Sequence, residues 1–146
     1  MSGMKKHSSI IHLSGRLTAG ANALIARELL TRGIADVVPA YGDILVALFD
    51  NDGMTMTDLA VHTHRTKSTI SVLVVKLEKL GYVTRSQNEA DRRVSNVFLT
   101  EKGKNLKPVF QAVSREIDST LASGLNEDEA QTLESLLAKA LAAFKQ

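Results

Sequence analysis

The stretch that decides the fold covers residues 54–103 and reads MTMTDLAVHTHRTKSTISVLVVKLEKLGYVTRSQNEADRRVSNVFLTEKG. Thr57 and Thr66 each stand before a helix-forming segment, where a hydroxyl can accept a hydrogen bond from an unpaired backbone N–H group. Two such caps nine residues apart predict two helices joined by a tight turn. Apolar residues at spacings of three and four predict that the second helix buries a stripe of Ile70, Leu73, Val74 and Leu77.

A two-stranded hairpin is predicted after this helix pair. Gly81 can end the second helix, and residues 82–85 have the aromatic and β-branched content of a strand. The polar run 86–92 reverses the chain, and residues 94–99 return it as a second strand. A helix-turn-helix followed by such a hairpin, or wing, is a winged helix, so the sequence predicts a mainly α fold with a small antiparallel β-hairpin.

The hairpin contains the series Asp91-Arg92-Arg93, Leu99-Thr100 and Gly103. This series resembles the D-x-R, L-T-x-x-G wing signature of the MarR family of bacterial transcriptional regulators, named for multiple antibiotic resistance. Residues 57–60, 67–71 and 77–83 resemble the helix-turn-helix of that family in order and spacing. The resemblance implies a homodimer that binds pseudo-palindromic double-stranded DNA, usually as a repressor released by a small molecule. It also implies that residues 54–56 add a third short strand to the wing.

The segments on either side of the winged helix have helical patterns. Residues 9–31 predict a long amphipathic helix ended by Gly33, and Pro39 suits the first turn of the next helix. Thr100 can cap a helix that continues to residue 121 with a kink at Pro108, and Asn126 begins a last helix. By the resemblance, residues 1–34 and 104–146 are dimerisation helices around a DNA-binding domain of residues 35–103. A monomeric bundle in which both ends fold back together is the alternative.

The composition of the chain narrows the functional classes. The 146 residues contain no cysteine, which excludes disulfides, catalytic thiolates and zinc sites built on sulfur. No apolar run approaches the roughly 18 residues of a membrane span, so we expect a cytoplasmic protein with no membrane partner. No glycine-rich phosphate loop or paired carboxylates stand out, so we expect neither an enzyme nor a bound cofactor.

The charges of the chain are unevenly distributed. Residues 57–107 contain ten basic and five acidic side chains, whereas residues 108–146 contain three basic and six acidic ones. Positive charge therefore gathers on the predicted winged helix, where it would oppose a phosphate backbone. Charges scattered over solvated surfaces are the alternative, and the coincidence with the motif favours the DNA interpretation.

The second helix of the pair is the predicted recognition helix. An α-helix fits the major groove of B-DNA, and the residues of its first turns reach the base edges. Val72 is an apolar side chain on an otherwise polar face, and we predict that it packs on a thymine methyl group. Many family members carry a basic residue at this place. The predicted DNA-binding residues of this helix are Thr66, Lys67, Ser68, Ser71, Val72 and Lys76.

In the wing, the family resemblance assigns Arg93 to the minor groove, where a narrow A·T-rich groove concentrates negative potential. By the same resemblance Asp91 positions Arg93 through an ion pair, and Arg92 adds affinity for the DNA backbone. A surface ion pair that only stabilises the hairpin is the alternative for Asp91 and Arg93.

Two histidines, His62 and His64, flank Thr63 in the predicted turn between the helices. Two imidazoles without a third nearby ligand make a poor metal site, although His7 and His12 leave a metal-responsive regulator as an alternative. The family often has glycine at the position of His64, which predicts strain or a different geometry in this turn. A winged helix used as a protein-interaction module is a further alternative. Effector control is expected where residues 35–51 meet the helix after Thr100, with the effector unidentified.

Overall fold

The computed structural model describes the backbone of residues 2–144 and the side chains of residues 9–144. Within this part the chain forms seven helices and a three-stranded antiparallel sheet with the order β1-β3-β2. The elements in chain order are α1 (Ser2–Thr31), α2 (Pro39–Asp50), β1 (Met54–Thr55), α3 (Met56–Thr63), α4 (Lys67–Lys79), β2 (Val83–Gln87), β3 (Ser95–Leu99), α5 (Glu101–Lys104), α6 (Leu106–Ala122) and α7 (Glu127–Ala142). The predicted winged helix-turn-helix with flanking helices is confirmed.

The buried core lies in the winged helix, where α2 packs behind α3 and α4 and against β3. Three residues of the predicted stripe in α4 are buried and the fourth, Leu73, is partly buried against the core. Each fully buried aliphatic side chain contributes about 1.5–3 kcal/mol by leaving water. The largest fully buried side chains are Ile44, Leu45, Leu48, Leu59, Ile70, Val74, Leu77 and Val97.

The wing is anchored at its base by a close backbone approach. Val83 pairs with Leu99 and Arg85 with Val97 in the β2–β3 ladder. A Cβ atom at Gly103 would overlap the backbone oxygen of Tyr82, so glycine is needed where α5 crosses the start of β2. This contact is the physical reason for a glycine at the end of the wing signature.

The tyrosine hydroxyl of Tyr82 fastens the wing to the loop between α1 and α2. It donates a hydrogen bond of 2.6 Å to Asp36. Burial of the ring, together with this carboxylate, raises the pKa of Tyr82 to about 12. The hydroxyl therefore stays protonated at neutral pH and holds the bond.

One predicted helix start and one predicted helix length need correction. The cap of α3 is Thr55 rather than Thr57, because the Thr55 hydroxyl accepts from the backbone N–H of Asp58 at 3.0 Å. Thr100 caps only the short α5, and the predicted single helix to residue 121 is broken at Asn105. Pro108 explains the break, since it has no N–H to bond to the carbonyl four residues earlier, at the end of α5.

Helix α1 begins at Ser2, earlier than predicted, and β2 extends to Gln87. The positive φ of Gly33 (79°) and Gly81 (85°) fits their predicted roles at the ends of helices. Asn126 and Glu129 form the predicted capping box of α7. No helix in the described part of the chain is long and apolar enough to cross a membrane.

The terminal helices leave apolar surface uncovered. The C-terminal half of α1 packs on α6 and buries Leu29, whereas none of the residues of α7 is buried. Exposed apolar side chains on α1, α6 and α7 are Ile10, Ile11, Leu13, Leu17, Leu30, Leu121, Leu133, Leu136, Leu137 and Leu141, and Phe144 is exposed just after α7.

Candidate nucleic-acid interface

The recognition helix α4 begins where it was predicted to begin. The Thr66 hydroxyl accepts a hydrogen bond from the backbone N–H of Thr69 at 3.2 Å, which makes Thr66 the N-cap. With Ile70, Val74 and Leu77 facing the core, the opposite face of the helix is open to solvent. That face carries four of the predicted residues as exposed side chains, Lys67, Ser68, Val72 and Lys76, whereas Ser71 is half-buried.

Val72 stands out on this face because its side chain is 54% exposed. Ile70 and Val74 are buried in the core and Leu73 packs against it, whereas Val72 is exposed. Packing inside the protein therefore does not explain an apolar residue at position 72. An exposed β-branched side chain is suited to contact with an apolar group of a binding partner, and the thymine methyl group is the one that the major groove offers.

The turn into α4 contains a strained residue. His64 has φ 55° and ψ 42°, which makes it the one non-glycine residue with positive φ among the described residues. The His64 N–H donates to Val61 and the Arg65 N–H donates to Ala60, a Schellman arrangement that closes the end of α3. A side chain in the left-handed region costs about 1 kcal/mol or more, so the predicted strain at His64 is present in the structure.

An ion pair fixes this turn to the helix behind it. Nη1 of Arg65 lies 2.8 Å from Oδ2 of Asp43 in α2. Arg65 directly precedes the Thr66 cap, so the pair connects α2 to the start of the recognition helix.

The tip of the wing is built around Asp91 and Arg93. Nε of Arg93 lies 3.1 Å from Oδ1 of Asp91, and Nη2 lies 3.2 Å from Oδ2. The backbone N–H of Arg93 also donates to Oδ1 at 3.1 Å. These bonds from Arg93 to the carboxylate lower the pKa of Asp91 below its usual value. The Arg93 side chain is 89% exposed, so its guanidinium is oriented by Asp91 while remaining accessible to a partner. Arg92 is exposed beside it.

Two asparagines that sequence reasoning missed support this tip. The side-chain amide of Asn96 donates to the Gly53 carbonyl, and the amide of Asn88 donates to Asn96, each at 2.8 Å. Oδ1 of Asn88 in turn accepts from the backbone N–H groups of Ala90 and Asp91. A line of hydrogen bonds therefore runs from the turn before β1 to the residue that orients Arg93. The signal in the sequence was Asn88 within the polar run 86–92, since asparagine commonly closes a turn by bonding the backbone two residues on.

Helix α4 and the wing share a cleft of about 400 Å³. Among the predicted residues, Lys67, Ser68, Ser71 and Arg93 line this cleft, whereas Thr66, Val72, Lys76, Asp91 and Arg92 lie outside it. The described lining also includes Arg85, which is paired with Glu78 at 2.9 Å, and contains no acidic residue. Two segments that are far apart in sequence thus present basic and hydroxyl side chains to one space, where an anionic partner is favoured.

The histidines do not form a metal site in the described part of the chain. His62 and His64 are both exposed, and no group of three histidine, cysteine or acidic side chains there could hold a metal ion. The side chain of His7, which the sequence left as a distant ligand, lies outside the described residues.

A second cavity of about 160 Å³ lies between α1, α2 and α6. It occupies the predicted region in which residues 35–51 meet the helices after Thr100. Its walls are formed by Asn22, Ile25, Ala26, Leu29, Val37, Val38, Pro39, Gly42, Asp43, Val46, Phe110, Val113, Ser114 and Ile117. Tyr41 and Phe49 pack against the core instead.

Comparison with known proteins identifies the family of the chain. Residues 35–94 match the model of the MarR family. The chain is 31% identical over 105 residues to the HTH-type transcriptional regulator MgrA of Staphylococcus aureus, covering 69% of this chain and 67% of that protein. The chain belongs to the MarR family of transcriptional regulators. The predicted membership of the MarR family is therefore confirmed.

Two further similarities cover different shares of this MarR-family chain. An uncharacterised HTH-type transcriptional regulator of Bacillus subtilis, YybA, is 27% identical over 93 residues, covering 64% of this chain and 62% of YybA. The chain thus spans less than two thirds of that relative. The crystal structure of a MepR–DNA complex from S. aureus matches with a TM-score of 0.81 and 27% identity, covering 91% of this chain and 96% of that one.

Proposed function

We propose that this MarR-family protein is a sequence-specific DNA-binding transcriptional regulator that acts in the cytoplasm as a homodimer on a pseudo-palindromic site. The observation that carries the proposal is the cleft shared by α4 and the wing, lined by Lys67, Ser68, Ser71 and Arg93 without an acidic residue among its described walls. The similarity to the DNA-bound MepR supports the proposal. Repression relieved by a small molecule is the mode of regulation that we propose.

In this proposal the recognition helix reads the major groove. Lys67 donates to guanine acceptors, the hydroxyls of Ser68 and Ser71 bond to either type of base, and Val72 packs on a thymine methyl group. Thr66 and Lys76, at the borders of the face, contact phosphates. These contacts would set both the register of the protein and part of its sequence preference.

The wing reads the minor groove in the same proposal. Arg93 enters a narrow A·T-rich groove with its guanidinium preoriented by Asp91 at 3.1 Å. An arginine that is held in position before binding loses less side-chain entropy when it binds. Arg92 contributes to affinity for the sugar-phosphate backbone.

Dimerisation is assigned to residues 1–34 and 104–146, and residues 35–103 form the DNA-binding domain. The support is that α7 buries none of its residues within one chain, although Leu133, Leu136, Leu137 and Leu141 project from it. Two apolar grooves run beside it, and Leu17, Leu133 and Leu137 line both. The terminal helices of a second copy are the partner that would cover these grooves and set the spacing of the two recognition helices.

The experiment that tests the proposal is selection from a randomised duplex library at two salt concentrations, with the wild type and Arg93→Ala. We expect an inverted repeat, with log K falling steeply against log salt for the wild type and less steeply for the variant, because Arg93 releases a counterion on binding. Glu89→Ala, which removes an exposed acidic side chain near the tip, is the matched control. If no sequence is selected and salt has little effect, the winged helix is a protein-interaction module instead.

The same selection tests Val72. The variant Val72→Ala should weaken the preference for thymine at one position of each half-site, by about 1 kcal/mol, because it removes methyl groups from the apolar contact. Unchanged preference at every position would contradict the assignment of Val72 to a thymine methyl group.

A further inference from the structure

The cavity between α1, α2 and α6 has a chemical bias. Apolar side chains form most of its wall, and its polar side chains are Asn22, Asp43 and Ser114. Among the described residues that line it, none is a lysine, arginine or histidine, and Asp43 is the one acidic residue. The charged residue that a ligand meets in this lining is therefore Asp43, whose cationic partner Arg65 is not itself a lining residue. A cavity of about 150 Å³ is large enough to hold a benzene ring, so a single-ring ligand fits a volume of about 160 Å³.

Asp43 connects this cavity to the DNA-reading unit. Asp43 is one of the residues that line the cavity, and its carboxylate pairs with Nη1 of Arg65 at 2.8 Å. Arg65 lies between the strained His64 and the cap residue Thr66, at the start of α4. A positive group in the cavity would compete with Arg65 for the same carboxylate.

We propose that this cavity binds a cationic aromatic or alicyclic amine whose positive group pairs with Asp43 and displaces Arg65. Displacement removes the ion pair that holds the turn before Thr66 to α2, so the start of the recognition helix is held less firmly, although its core packing on α2 remains. The ligand therefore weakens DNA binding by its different affinity for the two states of the Asp43–Arg65 pair. The inference rests on the proposed function for its effect on DNA, whereas its ligand class depends on the cavity alone.

The ligand class is tested without DNA. Three probes of similar size and different charge are benzylammonium, benzyl alcohol and benzoate, titrated into the full-length protein by calorimetry and ligand-observed NMR. The expected order of affinity is benzylammonium, then benzyl alcohol, then benzoate, with about tenfold between the first and the last. The difference is modest because the Asp43 side chain is 56% exposed and water screens its charge.

Three variants separate the charge effect from unrelated binding. Asp43→Asn should abolish the preference for benzylammonium, whereas Arg65→Gln should increase benzylammonium affinity several-fold by removing the competing cation. Ala26→Leu, which fills the cavity from α1, should eliminate binding of all three probes. Thermal unfolding of each variant checks that it remains folded. The proposal would be overturned by equal affinity for the three probes or by tighter binding of benzoate. It would also be overturned if no probe bound at about 10 mM, or if Ala26→Leu still bound the probes.

The effect on DNA is measured on the duplex selected by the wild type. Saturating benzylammonium should weaken wild-type binding several-fold, and Asp43→Asn should bind DNA as weakly as the saturated wild type while no longer responding to the amine. If the wild type selects no DNA at all, the proposed function fails while the ligand class stands on the titrations. If DNA is bound and the amine binds without changing that affinity, the coupling through Arg65 is wrong.

Discussion

His64 has a left-handed backbone conformation in the turn that leads into the recognition helix. Its positive φ of 55° belongs to a position that the Schellman arrangement reserves for a left-handed residue, and glycine adopts that conformation at no steric cost. The sequence predicted strain at this turn only because glycine is common there in the family. Periodicity and composition say nothing about the sign of φ, so the strain itself had to be observed.

The variant His64→Gly should be more stable than the wild type by about 1 kcal/mol, because the loss of strain exceeds the added flexibility of the unfolded chain. Urea unfolding at one fixed protein concentration measures the difference. His62→Gly is the matched control, since His62 lies within the last turn of α3 and glycine there should cost about 1 kcal/mol. Equal destabilisation by both substitutions would show that His64 is unstrained.

The N-cap residues of α3 and α4 show one prediction from local sequence that was correct and one that was wrong by two residues. Thr66 was predicted correctly because it is followed by a polar turn of helix and then by a regular apolar stripe. Thr57 was predicted instead of Thr55 because the segment MTMTD offers two threonines, and the choice between them depends on β1 pairing with β3. Tertiary pairing of two residues decided a question that local chemistry left open.

The wing is the element whose function depends most on contacts that are distant in sequence. Its strands were predictable from β-branched content, and the Asp91–Arg93 pair was implied by the resemblance to the MarR wing signature. The support from Asn88 and Asn96 was not, because Asn96 reaches Gly53, which is 43 residues away. Polar side chains in a hairpin look alike in sequence, and the fold alone reveals which of them bond.

Asn96→Ala should weaken DNA binding several-fold while leaving the slope of log K against log salt unchanged. The variant removes the hydrogen bonds of residue 96 to Gly53 and Asn88, so the wing tip would be less ordered before binding. Arg93 would then lose more conformational entropy when it binds DNA, whereas its charge would be unchanged. Ser86→Ala, at the position that pairs with Asn96 across the hairpin, is the control. Measurement is by fluorescence anisotropy over a range of salt concentrations. A reduced slope, or unchanged affinity, would show that Asn96 does not position Arg93.

At the scale of the whole molecule, the winged helix differs from the terminal helices both in charge and in exposed apolar surface. Basic residues gather on the winged helix, and uncovered leucines gather on the terminal helices. The apolar faces of α1, α6 and α7 were predictable from helical spacing. The interruption near Pro108 was also predictable, because proline has no N–H to donate, whereas the α1–α6 packing was not, since it depends on how the helices meet in three dimensions.

Leu137→Glu should convert the proposed dimer into a monomer, because Leu137 lines both grooves beside α7 and a buried carboxylate there would lack a partner. Light scattering after gel filtration gives the mass of each species. Ser135→Glu, on the opposite side of α7, adds the same charge without touching the grooves, so it should remain dimeric. A wild type that is monomeric, or a Leu137→Glu variant that stays dimeric, would favour the monomeric bundle.

The uncovered face of α7 has a consequence for how much of the protein a cell must make. If a second copy covers that face, dimerisation follows mass action. Dilution then dissociates the dimer, and a monomer binds only one half-site. The occupancy of an operator would then rise more steeply than in proportion to the number of copies. Gene dosage would itself be an input to the switch, alongside any small molecule.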